Sequence, residues 1–109
     1  MIEHRSKSKI SESLYGIFDI VRDAYPDGMP EENYFPLIQI LGKKLPEGPL
    51  TELISFLFQR EFHVVANDVL KVHASPRAPY SVKPELQQVE RVRDKLLSWG
   101  LYDWEITPY

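Results

Sequence analysis

Proline limits this chain more than any other residue does. Nine prolines fall within 109 residues, and each removes a main-chain donor and crowds the helical turn before it. Helices are therefore confined to the stretches between prolines, and the apolar pattern of each stretch says which face it buries. Ile10, Leu14, Ile17, Phe18, Val21, Ala24 and Tyr25 recur at spacings of three and four, the stripe of an amphipathic helix. Asp19, Arg22 and Asp23 fall on its other side. Pro26 ends that helix, and Pro26-Asp27-Gly28 reads as a turn whose glycine takes a positive φ. Residues 30–33 read as one loose turn, with Asn33 as N-cap of a second helix from Tyr34 to about Lys43. Phe35, Leu37, Ile38, Ile40 and Leu41 make this helix apolar on most sides, so it is expected at the centre.

Pro46-Glu47-Gly48-Pro49 interrupts the chain again. Leu50, Leu53, Ile54, Leu57 and Phe58 mark a third helix ending between Arg60 and Phe62. Asn67 caps a short fourth element through Val72, for which β-branched content leaves helix and strand both open. Residues 75–83 are a connector broken by Pro76 and Pro79. Pro84 and Glu85 open a last helix with the stripe Leu86, Val89, Val92, Leu96 and Trp99, closed by a left-handed Gly100. The expected fold is an all-α bundle of four to five helices, the fourth short. Residues 1–9 form a polar arm, residues 10–109 one helical domain, and Tyr102, Trp104, Ile106 and Tyr109 an extended aromatic tail.

Composition narrows the function classes. Thirteen Lys or Arg against sixteen Asp or Glu give a net charge of −3, no general field for a polyanion or an anionic membrane. Cysteine is absent, which excludes disulfides, thiolate catalysis and Cys-type zinc sites and points to a reducing cytoplasm. No apolar run reaches the roughly 18–20 residues that span a bilayer.

No motif carries chemistry. Glu61, His63, Asp68 and His73 are metal-ligand types, but the separation of ten positions from His63 to His73 matches no zinc spacing. Asp19 and Asp23 share a helix face and read as a solvated acidic stripe that runs toward Asp27. No nucleophile elbow or phosphate loop occurs. The second and third helices resemble a helix-turn-helix, yet the exposed face expected for the third (Thr51, Glu52, Ser55, Gln59) holds an acid and only Arg60 as a cation for phosphate. No catalytic, metal or cofactor residue is assigned. The aromatic tail has two readings, a cover over the core or a docking peptide for another protein. Gly100 would turn Leu101 back on the last helix, which favours the cover.

Three stretches carry a resemblance: Ala24-Tyr25-Pro26-Asp27-Gly28-Met29-Pro30, Tyr34-Phe35-Pro36-Leu37, and Val89-Glu90-Arg91-Val92-Arg93 with Leu96 and Gly100. Together they resemble a domain-of-unknown-function family of mycobacteria and related actinobacteria, over about residues 14–103. The resemblance implies a compact, monomeric, cytoplasmic five-helix bundle and no activity; it says little about residues 75–84 or the tail. The function expected is thus a non-enzymatic module that binds another protein. The alternatives are an accessory nucleic-acid binder using Arg5, Lys7 and Lys9, and a small enzyme or metalloprotein.

Overall fold

The computed structural model describes residues 10–108; the expected N-terminal arm and Tyr109 lie outside the described residues. A 3-10 turn, Glu12–Leu14, leads into α1, Tyr15–Ala24, which buries Ile17, Phe18, Val21 and Ala24 as its stripe requires. Ser11 ties the start of this unit down: its N–H donates to Glu52 at 2.7 Å and its hydroxyl to the same carboxylate at 3.1 Å. Gly28 follows the proline turn at φ 102°, where a side chain would be strained.

The loose turn is a 3-10 turn, Glu31–Asn33, and α2 spans Tyr34–Leu41. Leu37, Ile38 and Leu41 are fully buried, and α2 packs against the three long helices that follow it. Asn33 holds the N-cap position without a capping hydrogen bond. Its buried carbonyl instead accepts from Gln88 Nε2 at 2.6 Å, which fastens the entrance of α2 to the next-to-last helix.

Three expected boundaries move. Helix α3 is Glu47–Phe58, opening before Pro49 rather than after it. Proline fits the first helical turn, where an N–H has no partner to lose. The same helix stops at Phe58, short of the expected 60–62, because Gln59 takes left-handed geometry at φ 52° and Arg60 N–H returns to the Ser55 carbonyl. Then α4 spans Phe62–His73; it is helix rather than strand, and it is not short. Glu61, not Asn67, stands at its N-cap, and the buried pair Val65 and Val69 gives it a core face. Burial of that face outweighs the weak helix preference of valine.

Two turns make up residues 75–81, with hydrogen bonds from Ala78 N–H to the Ser75 carbonyl and from Ser81 N–H to the Ala78 carbonyl. Helix α5, Leu86–Leu97, buries Val89, Val92 and Leu96. Both ends of its expected stripe are exposed, Leu86 at 67% and Trp99 at 51%. Gly100 has φ 109°, and beyond it the chain does not extend. Residues Leu101–Ile106 form a sixth helix, α6. The described residues thus make an all-α bundle with one shared core and a radius of gyration of 13.5 Å.

Candidate interaction surface

The tail is helical because its apolar residues satisfy a helix better than a strand. In an extended chain Tyr102, Trp104 and Ile106 would share one face. In α6 they separate. Leu101 points inward and is fully buried, and Trp104 packs against the core beside Gly16 of α1, where an added Cβ would stand 3.8 Å from its ring. Three polar ties hold this inner face. Arg93 of α5 forms a two-pronged pair with Glu105, at 2.8 and 2.9 Å. Lys44, in the loop after α2, lies 4.4 Å from the Trp104 ring centroid and donates to the Trp104 and Thr107 carbonyls. A cation there meets both the aromatic face and the negative helix end. Arg93 holds the Glu105 carboxyl below its ordinary value, since a donor to the charged form favours it.

The outer face is different. Tyr102 and Ile106, one turn apart, are 61% and 62% exposed. Trp99 stands exposed on the turn that precedes Gly100. The tail therefore covers core with one side and offers apolar surface with the other.

The residue sets raised by the sequence are dispersed or neutralised. Arg22 sits between Asp19 and Asp23, 3.2 Å from each carboxylate, so the acidic stripe is paired. His63 is exposed beside Glu61 at the start of α4. His73 is about 15 Å further along the same helix, at 1.5 Å rise per residue. Asp68 accepts from the Tyr34 hydroxyl at 2.6 Å. Burial, then this carboxylate, holds the Tyr34 phenol well above its ordinary range. No group of three metal-ligand side chains converges among the described residues.

His73 comes closest to an acid–base site. Its Nδ1 is 3.9 Å from Glu47, and its ring lines a groove of about 630 Å³ with Asn67, Leu70, Lys71 and Tyr80. Its Nε2 is pressed against Gly42, where an added Cβ would stand 2.4 Å away.

The exposed face expected for the third helix needs correction at Thr51. Thr51 is buried and donates to the Glu47 carbonyl at 2.7 Å. Glu52 holds Ser11, and the Ser55 hydroxyl donates to the Arg60 carbonyl. Three of the four residues of that face are thus spent on internal bonds. Sequence reasoning missed Lys44 and Arg93 as the residues that fix α6. Only their placement on the tail side of the bundle, which needs the fold, could have singled them out.

Six helices around one core, with Tyr102 and Ile106 of α6 turned to solvent, define a small all-α domain, and no described helix is long and apolar enough to cross a membrane. The family model DUF3349, a protein family of unknown function, matches residues 12–105, and the chain belongs to that family. No curated protein and no solved structure matches it.

Proposed function

We propose that this protein is a non-enzymatic interaction module that docks α6 into an apolar cleft of a different protein. The outward face of α6 carries the reading: Tyr102 and Ile106 are exposed on a helix whose inner face is pinned by Leu101, Trp104, Lys44 and Arg93. A face held in one conformation loses little freedom on binding. An amphipathic helix with anchors one turn apart suits a groove.

Size argues for that occupant. With Trp99, the three side chains offer on the order of 300–400 Å² of surface, taking aromatic side chains at 150–250 Å² each. A stable dimer needs about 800 Å² per partner. On its own the patch is smaller than a standard interface of either kind, so it serves as the anchor at the centre of a larger contact with a cleft. We further read the chain as a cytoplasmic monomer of actinobacterial origin, on its lack of cysteine and its motif likeness.

A photo-crosslinking amino acid at position 102, introduced in the source cells, tests the reading against the same probe at position 27 in the first turn. One defined heteromeric species from position 102, absent from position 27 and lost in Ile106→Ser, is the expected outcome. No species from position 102, or the same species from both sites, would overturn it.

A further inference from the structure

The groove beside His73 lies between the last turns of α4, the first residue of α3 and the connector that follows α4. At about 630 Å³ it is the size of a small-molecule site. Most of its wall is apolar, supplied by Leu70, Ala74 and Tyr80. Leu70 and Tyr80 are both exposed, so this apolar wall meets water in the free chain.

The charge at the groove favours a cation. Glu47 is largely exposed, and at 3.9 Å its carboxylate is too far from His73 Nδ1 for a hydrogen bond. No described donor binds that carboxylate more closely. Lys71 also lines the groove, but Asp68 stands 3.7 Å from its ammonium and offsets it. The end of α4 adds a second negative source. Ala74 leaves the helix in extended geometry, at φ −69° and ψ 156°, and returns no N–H to it. In the last turn the Lys71 carbonyl accepts from Val82 N–H at 3.0 Å, while the carbonyls of Leu70, Val72 and His73 meet no described donor. An uncapped helix end of this kind carries a partial negative charge and attracts cations.

We propose that this groove binds a small organic amine with an aromatic body. The body rests on Leu70, Ala74 and Tyr80, and the ammonium meets the Glu47 carboxylate and the uncapped end of α4. An apolar wall with a few convergent polar groups is the usual make-up of a ligand site, and an ammonium also gains from an aromatic face such as that of Tyr80. A carboxylate of the same shape would meet Glu47 and the helix end as like charges. The groove shares no residue with α6, so the failure of one reading leaves the other standing.

Three probes with one ring and one spacer test this on the full chain: tryptamine, the neutral tryptophol and the anionic indole-3-propionate. Each is titrated to about 10 mM, ample for a ligand of this size, while the main-chain amide resonances are followed. Tryptamine should shift the amides of Leu70, His73, Ala74 and Tyr80 saturably and leave those of α6 in place. It should bind at least about tenfold more tightly than indole-3-propionate, since reversing the charge turns attraction into repulsion. Glu47→Gln should weaken tryptamine about fivefold, as loss of a partly exposed charge pair does, and leave tryptophol within about twofold. The comparison of amine with acid is made on the unaltered chain, so it decides the matter even if Glu47→Gln disturbs α3. Equal binding of amine and acid, equal weakening of tryptamine and tryptophol by Glu47→Gln, or no saturable shift at these four amides would overturn the proposal.

Discussion

Residues 75–83 and 101–108 both lack a long helical stripe, and both carry prolines and aromatic side chains, yet the first stays a run of turns while most of the second closes on the bundle as α6. Anchoring explains the difference. Residue Leu101 is fully buried, and Trp104 and Glu105 face inward onto Gly16 and Arg93. No residue from 74 to 88 is fully buried, and the connector's one main-chain tie to a helix is Val82 to Lys71. A segment with inward anchors recovers the entropy cost of ordering through burial, whereas a segment without them keeps its polar groups for solvent.

The sharpest way to break this comparison is to remove an anchor. Leu101→Ala should lower unfolding free energy by about 2–4 kcal/mol, the cost of a buried leucine and the cavity it leaves. Tyr80→Ser in the connector should stay within about 0.5 kcal/mol, as an exposed site does. Urea midpoints of the two variants decide it; equal losses would mean the connector is anchored as firmly as the tail.

Sequence pattern made most of the core legible where a stripe recurred at three and four, Leu86 and Trp99 at the ends of the last stripe excepted. Ile17, Phe18, Val21, Leu37, Ile38, Leu41, Val92 and Leu96 all sit where their spacing puts them. The positive φ of Gly28 and Gly100 was legible too, because each follows a stop signal. Boundaries were less so. Val69 and Val72 read as strand formers until a partner helix gives them something to cover, and Gln59 is not a residue from which a left-handed stop is read. The tail misled for a physical reason: alternate aromatics match a strand, while Leu101 and Trp104, three apart, match one face of a helix. Choosing between them needs the position of α1. The inward face of α6 was legible as the cover reading of the tail, whereas its exposed outer face, Tyr102 and Ile106, follows only once the segment is known to be a helix.

A smaller loss is expected at the root of the connector. Gly42→Ala would drive a Cβ into the His73 ring, 2.4 Å from Nε2, and toward the Ile38 carbonyl at 2.7 Å. The ring must shift, and overpacking of this kind costs about 1–3 kcal/mol. A melting temperature equal to that of the unaltered chain would show that the end of α4 yields freely, and would narrow the contrast with α6.

Smaller still is the pair that locks α6 to α5. Glu105 has a lowered pKa in the folded chain, so its contribution is present above the unfolded value of 4.5 and is lost as pH falls through the folded one. Arg93→Met should therefore cost about 0.5–1 kcal/mol near neutral pH, modest because the pair is partly exposed. The gap between variant and parent should close as the solution is acidified. A gap that persists in acid would assign the loss to the arginine stem rather than to the charge.

The account turns on α6 having one face that serves the fold and another that does not. Urea unfolding of the double variant Tyr102→Ser with Ile106→Ser tests this most directly. The account predicts a free energy within about 0.5 kcal/mol of the unaltered chain, as for other exposed positions. A loss above about 2 kcal/mol, the range of buried apolar side chains, would contradict it and make the outer face part of the core.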